Sequence, residues 1–290
     1  MFKQKVISVV NLTRPLSNVK NIALIVLAFY ISGGNFNLLL IAMAFFSLSF
    51  VCSSFYAFNA YSDYDLDKNN KNKAHYSLAI DHLGKKGSLI VFFIFLVLGL
   101  GLGFFVNNYF LLFIFLLSLT NFLYSYNNTR FKEKFILDIL FGATLTFLFR
   151  FLACWFIFSV YLPPLSAILG LVFAKSSGYI LYKELDNKYF KERGIKNSIT
   201  ILNRRAKIFL TIFLWLLSFW AYIVLTAHYL TPSFFLLIPI FIPPIVFIYL
   251  LSFKKIKISV RKARFLGFFY WLVALVVAYL LVSNGGSFKI

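Results

Sequence analysis

The sequence NAYSDYDLD, residues 59–67, closes a long apolar run and opens a loop rich in lysine and asparagine. It concentrates acid in a chain that has only nine Asp and Glu among 290 residues. If the preceding helix continues through it, Asn59, Asp63 and Asp67 lie one turn apart on one helix face, and Asp65 points elsewhere. The spacing therefore predicts two carboxylates and an amide on one surface.

Two carboxylates on one face need a partner, because like charges at this spacing repel and desolvation makes the repulsion worse. Mg²⁺ is typically held by one or two carboxylates together with substrate phosphates, so this face can dock a diphosphate. Alternatively, the acids cap a helix and pair with Lys68, Lys71 and Lys73 of the following loop. Surface pairs of that kind contribute little to stability.

The composition is that of a membrane protein. The chain is 61% hydrophobic and 13% charged, far more apolar than a soluble domain. Its net charge of +20 would suggest nucleic acid in a soluble protein. Here the basic residues lie mostly between apolar runs, where they orient helices and meet anionic headgroups. We therefore expect the lipid bilayer, and no nucleic acid, as a partner.

Nine apolar runs are long enough to span a bilayer, since a spanning helix needs about 20 apolar residues. They are roughly residues 15–33, 37–61, 87–106, 108–126, 135–160, 164–185, 207–228, 232–253 and 265–283. The connecting loops alternate between uncharged and basic, and basic loops mark the cytoplasmic side. We predict one transmembrane domain over residues 1–290, an all-α bundle of nine helices with a cytoplasmic N-terminus.

A second acidic cluster, KELD at residues 183–186, ends the sixth span as the first cluster ends the second span. Both clusters fall on the predicted cytoplasmic side. The polar loops that carry them, about 62–86 and 186–206, are predicted to cover the active site and to become ordered when ligand binds. We expect the protein in the inner membrane, with this site facing the cytoplasm.

Basic residues near the second cluster are further candidates. Tyr179 and Lys183 share one helix face, and the lysine can contact phosphate. Lys175 and Arg150 lie at membrane depth, where ionisable groups indicate function or internal pairing. The alternative is that either of them pairs with Asp138 or extends to the interface.

These features together resemble a known family. The resemblance covers nearly the whole chain and rests on the nine spans, Asn59-x-x-x-Asp63-x-x-x-Asp67, Tyr179-x-x-x-Lys183 with Asp186, Gly194-Ile-Lys196-Asn-Ser198 and Arg14-Pro15. The chain is similar to the UbiA superfamily of intramembrane prenyltransferases. It departs from the family pattern at Ala60 and Phe190, where members usually carry Asp.

The resemblance implies a Mg²⁺-dependent transferase that moves a polyprenyl group from polyprenyl diphosphate to a small acceptor. The metal ligands it implies are Asp63, Asp67, Asp186 and Glu184. The catalytic residues it implies are Asp63, Asp67, Lys183 and Asp186. The candidate substrate-binding residues are Asn59, Tyr179, Glu184, Arg14, Lys175 and Arg150.

Two other functions stay open. The segments Arg14-Pro15 with Lys20-Asn21, Leu123-Tyr-Ser125 and Phe149-Arg150 resemble relatives that transfer phosphoribosyl from phosphoribosyl diphosphate to polyprenyl phosphate. A membrane carrier or transporter is the alternative from another class, since charges at membrane depth also mark ion pathways. Against a carrier, the acids cluster at one end and the residues at mid-membrane depth are basic.

Overall fold

The computed structural model describes residues 2–68 and 73–229, and every regular element in those ranges is a helix. Seven helical stretches in these ranges are long and apolar enough to cross a membrane, and the first of them, Lys3–Ser32, includes a short 3₁₀ turn. They correspond to the first seven predicted spans. The predicted spans 232–253 and 265–283 lie outside the described residues, so the count of nine and the side on which the chain begins remain predictions.

The helices follow one another through short connections. They are α1 (Phe2–Thr13), α2 (Val19–Ser32), α3 (Leu38–Ser62), α4 (Tyr64–Asp67), α5 (Ala74–Phe104), α6 (Asn108–Ser125), α7 (Leu137–Trp155), α8 (Leu165–Glu184), α9 (Asn187–Glu192), α10 (Ser198–Ile201) and α11 (Arg204–Tyr229). Short 3₁₀ turns occupy Pro15–Asn18 and Phe131–Glu133, and α7 contains a π-helical segment at Leu140–Thr144.

The uncharged turns between spans hold helix caps. The side chain of Asn37 accepts a hydrogen bond from the backbone N–H of Leu40 at the start of α3. Asn107 does the same for Phe110 at the start of α6. An asparagine at this position satisfies a backbone donor that the first helical turn leaves unpaired. The polar interruptions between apolar runs therefore fix where these two spans begin.

The bundle core depends on close packing between α3 and α5. At Gly99 of α5, an added Cβ would lie 2.7 Å from Val51 Cγ2 and 3.0 Å from the Ser47 carbonyl oxygen. The Ser47 hydroxyl donates to the Gly99 carbonyl oxygen at 2.7 Å. Small residues let membrane helices approach closely and form such contacts. This packing holds α3, whose end carries the acidic motif.

Two predicted boundaries differ from the structure. Helix α1 precedes the first predicted span, and Arg14, with φ of 48°, separates it from the rest because the ring of Pro15 disfavours helical backbone there. Helix α5 begins at Ala74, so part of the predicted loop 62–86 is helical, and the chain bends at Gly84, with φ of 76°. Glycine adopts this positive φ without steric cost.

Candidate active site

A cavity of about 250 Å³ lies where α3 ends, between α3, α6, α7 and α8. Among the described residues, its lining contains more positive than negative side chains. The acids are Asp63, Asp67 and Glu133. The cations are Arg14, Lys20, Lys73, Lys132, Arg150, Lys175 and Lys183.

The acidic motif follows a helical path through the end of α3. The N–H of Asp63 donates to the Asn59 carbonyl oxygen at 3.0 Å, and the N–H of Asp67 donates to the Asp63 carbonyl oxygen at 2.7 Å. Asn59, Asp63 and Asp67 all line the cavity, whereas the Asp65 side chain is 83% exposed and lies 3.7 Å from Lys85. The one-face arrangement predicted from the spacing is confirmed.

Lysine and arginine side chains contact both carboxylates. Lys132 Nζ donates to Asp63 Oδ1 at 2.6 Å and to Asn59 Oδ1 at 3.2 Å. Arg130 lies 3.3 Å from the same Asp63 oxygen. Lys73 pairs with Asp67 at 3.2 Å, as the lysine-pairing alternative predicts for that residue.

Lys68 and Lys71 are the other two lysines of that alternative. Lys68 lies over the Tyr64 ring, and Lys71 is outside the described residues. Sequence reasoning missed Lys132 as a partner of Asp63. Lys132 belongs to a basic loop in which nothing distinguishes it from Lys134, since only the tertiary fold buries it.

The two carboxylates meet opposite electrostatic environments. Burial opposes ionisation of Asp63, but Lys132, Lys73 and Arg130 outweigh it and hold the pKa of this carboxyl below its usual range. Burial raises the pKa of Asp67, and the adjacent Asp63 charge adds to the rise. Burial also lowers the pKa of the Lys132 ammonium, which Asp63 offsets only in part. Asp67 is therefore the carboxylate that gains most from an added cation.

The residues of this wall fit one Mg²⁺ ion. Asp63, Asp67 and Asn59 present oxygen atoms, which hard divalent cations prefer. Within residues 2–68 and 73–229, no three His, Cys, Asp or Glu side chains converge into a complete metal site. Mg²⁺ does not need one, because it commonly uses one or two carboxylates, waters and substrate phosphates.

The second acidic cluster takes a different position. Lys183 lines the cavity, and its ammonium lies 5.5 Å from the ring centre of Tyr179. Tyr179 stands behind the wall, where its hydroxyl lies 3.0 Å from that of Tyr124. Glu184 pairs with Lys207 at 2.5 Å. Neither Glu184 nor Asp186 lines the cavity, so the structure does not bring them to Asp63 and Asp67.

Arg150 and Lys175 both line the cavity, and neither forms an ion pair with Asp138. Arg150 donates to Cys52 Sγ at 3.0 Å. Asp138 instead accepts from the hydroxyl and N–H of Ser198, at 2.5 and 3.3 Å. These contacts leave the two cations available to a ligand.

Helix α9 covers one side of the cavity. Tyr189 and Phe190 of this helix line it, and the Tyr189 hydroxyl donates to the Leu66 carbonyl oxygen of α4. Phe190 also lies 5.0 Å from the Lys183 ammonium. Phe190, at a position where the family usually carries Asp, is therefore an apolar part of the cavity wall.

Comparison with known proteins gives a consistent result. The model of the UbiA prenyltransferase family matches residues 21–280. No curated protein matches the chain. A UbiA homolog from Archaeoglobus fulgidus bound to GPP and Mg²⁺ has a TM-score of 0.77 at 18% identity, covering 95% of this chain and 99% of that one.

Two further solved structures share the architecture. The apo structure of a UbiA homolog from Aeropyrum pernix K1 has a TM-score of 0.75 at 12% identity, covering 92% of this chain and 97% of that one. A digeranylgeranylglyceryl phosphate synthase has a TM-score of 0.71 at 21% identity, covering 95% and 98%. At such low sequence identities, the structural similarity shows that these proteins share a fold.

Proposed function

This chain belongs to the UbiA prenyltransferase family, and we propose that it transfers a polyprenyl group from polyprenyl diphosphate to an acceptor in the cavity. It is an integral membrane protein with seven apolar helices among its described residues. The observation that carries the proposal is the pair of buried carboxylates, Asp63 and Asp67, on one wall of a cavity otherwise rich in cations.

Asp63 and Asp67, with the amide oxygen of Asn59, would hold Mg²⁺ on the diphosphate. The Archaeoglobus fulgidus homolog has been solved with GPP and Mg²⁺ and with DMAPP and Mg²⁺. These complexes support Mg²⁺ as the ion and a prenyl diphosphate as the substrate that donates the prenyl group. When bound, the ion supplies Lewis-acid stabilisation of the departing diphosphate. Because Glu184 is held by Lys207 and lies off the cavity, we propose a single ion on these residues.

The other polar groups of this wall orient the diphosphate. Lys132 fixes the Asp63 and Asn59 oxygens by donating to both. Lys183, whose ammonium is surrounded by the rings of Tyr124, Tyr179 and Phe190, would contact phosphate oxygens. Phe55 and Phe147 form apolar wall for the prenyl chain.

We place the site on the cytoplasmic side of the membrane. The basic connections that flank it, with Arg130 and Lys132 before α7 and Lys207 at the start of α11, support this orientation. The segments of about 62–86 and 186–206 would then form a cap over the cavity. The contact from Tyr189 to Leu66 supports the cap, since it joins the two segments.

Phosphoribosyl transfer to polyprenyl phosphate is the second candidate. The cavity lining has seven cations and three acids, and this composition favours the second candidate. The excess positive charge is larger than the negative charge of one Mg²⁺-bound diphosphate. The two candidates differ in which substrate carries the diphosphate. A product assay with each donor therefore separates them.

The test is diphosphate release by the purified protein in detergent, with and without Mg²⁺. One arm supplies geranylgeranyl diphosphate and a panel of acceptors, and the other supplies phosphoribosyl diphosphate with polyprenyl phosphate. We expect Mg²⁺-dependent release in the first arm, together with a prenylated product. Release in the second arm alone would favour the second candidate, and no release in either would overturn the enzymatic assignment.

A further inference from the structure

We propose that Arg14, Lys20, Arg150 and Lys175 form a second anion subsite around Tyr56, and that this Tyr56 subsite binds a phosphate monoester. The inference rests on the proposed function, since the subsite lies in the same cavity, and it assigns a chemical class to the second substrate. This substrate would carry a phosphate separate from the diphosphate held near Asp63 and Asp67.

Helix α3 organises the subsite through two side chains one turn apart. The Tyr56 hydroxyl accepts a hydrogen bond from Lys20 Nζ at 2.7 Å. Cys52 Sγ accepts one from Arg150 Nη2 at 3.0 Å. The Arg14 guanidinium stacks on the Tyr76 ring, 3.8 Å from its centre, and lies 5.2 Å from the Tyr56 ring centre. Cations from α2, α7 and the α1–α2 turn thus converge on one part of the wall.

Lys175 adds a fourth positive charge from α8. Its side chain is exposed at the cavity wall. Lys20 and Arg150 line the same cavity. All of these charges have the same sign, so the cluster repels itself unless an anion is present.

The described part of the chain supplies no counterion to the subsite. The acids of the cavity are committed to other cations: Asp63 to Lys132, Asp67 to Lys73, and Glu133 to Arg130. Within residues 2–68 and 73–229, none of the four subsite cations forms an ion pair.

Buried donors of the subsite also lack a hydrogen-bond partner. Arg150 is 7% exposed, and its Nε is buried without an acceptor, as is the Nε of Arg14. Burying a charge without a partner is costly, so these groups are arranged for an anion that enters from the cavity.

The number and type of donors favour phosphate. Two guanidinium groups present forked donors that match phosphate oxygens, and two lysines add point charges. A single carboxylate would leave most of this charge uncompensated, whereas a phosphate dianion compensates more of it. At the other end of the cavity, Asp63 and Asp67 repel bare phosphate. The two ends are therefore suited to different anions.

Two substrates could bring this phosphate: a phosphorylated acceptor or the 5-phosphate of a phosphoribosyl donor. The experiment is calorimetric titration of the purified full chain in detergent, without Mg²⁺, using glycerol phosphate and ribose 5-phosphate as probes. Glycerol and ribose are the unphosphorylated controls. We expect saturable binding of a phosphorylated probe only, and the tighter-binding probe identifies the source.

Variants locate the binding. Arg150→Gln and Lys175→Gln should each weaken probe binding about tenfold or more, the equivalent of one charge-assisted hydrogen bond. This loss should exceed their effect on Mg²⁺-dependent binding of geranyl diphosphate. Arg205→Gln and Lys188→Gln are matched controls, since both side chains are exposed away from the cavity, and should leave probe binding unchanged.

Arg150→Lys retains the charge and should recover part of the affinity. If Arg150→Gln does not fold, Lys175→Gln carries the test, because its side chain is exposed. Wild-type protein that binds geranyl diphosphate with Mg²⁺ but neither phosphorylated probe would overturn the Tyr56 subsite and leave the proposed function intact. Wild-type protein that binds the probes but no prenyl diphosphate would instead contradict the proposed function.

Discussion

Asp63 and Asp67 lie one helical turn apart, yet only the pKa of Asp67 is raised. Mg²⁺ binds the ionised carboxylate, so protons compete with it. We predict that Mg²⁺ affinity falls as the pH drops through the raised pKa of Asp67. This loss should occur at a higher pH than it would for an aspartate with an ordinary pKa. Lys73 lowers this pKa, so Lys73→Gln should move the loss to still higher pH.

The measurement is calorimetric titration of Mg²⁺ in the presence of geranyl diphosphate over a pH series. Lys68→Gln is the matched control, because Lys68 follows the same motif but pairs with no described acid. Protonation of geranyl diphosphate affects both variants equally, so it does not contribute to the difference between them. Identical pH profiles for Lys73→Gln and the control would contradict the prediction.

Lys132 is the buried partner of Asp63, with 8% of its side chain exposed. Removing one member of a buried ion pair costs up to about 3–5 kcal/mol, and Arg130, which also contacts Asp63, offsets part of this loss. We expect Lys132→Gln to lower the melting temperature of the detergent-solubilised protein clearly. Lys134→Gln, at an exposed position in the same loop, should not; equal melting temperatures for the two variants would count against a buried pair.

At the scale of elements, the packing of α3 on α5 depends on Gly99. A methyl group there would overlap Val51 and the backbone of α3, and overpacking of this kind costs about 1–3 kcal/mol. We predict that Gly99→Ala lowers thermal stability. Gly101→Ala in the same helix meets no atom within 4 Å and should be neutral or stabilising, because alanine favours helix. The reverse order of stability would refute this packing.

The elements also show what a sequence can predict. The shared face of Asn59, Asp63 and Asp67 follows from helical spacing, which is local, and so it could be predicted. The bend at Gly84 and the length of α5 could not, because a glycine inside a helical segment does not by itself indicate positive φ. The partners of Asp63 and Glu184 come from other elements of the chain, and only tertiary packing selects Lys132 and Lys207 among many lysines.

For the whole molecule, the apolar runs predicted the seven described spans because bilayer thickness sets their length. The proposed cap would join distant parts of the chain, which the hydrogen bond from Tyr189 to Leu66 links. We expect Mg²⁺ with a prenyl diphosphate to protect residues 186–206 from limited proteolysis, since ligand contacts with Lys183 would hold this segment closed. Either ligand alone should protect less, and equal cleavage under all conditions would contradict a ligand-ordered cap.

We propose that the wall formed by Asp63 and Asp67 binds a Mg²⁺-bound prenyl diphosphate. The most direct measurement is equilibrium binding of geranyl diphosphate to the purified wild type, Asp63→Asn and Asp65→Asn, each over a Mg²⁺ titration. We predict Mg²⁺-dependent binding that Asp63→Asn weakens about 100-fold, roughly 3 kcal/mol, and that Asp65→Asn leaves unchanged because its side chain is exposed. Wild-type affinity and Mg²⁺ dependence in Asp63→Asn would contradict the claim.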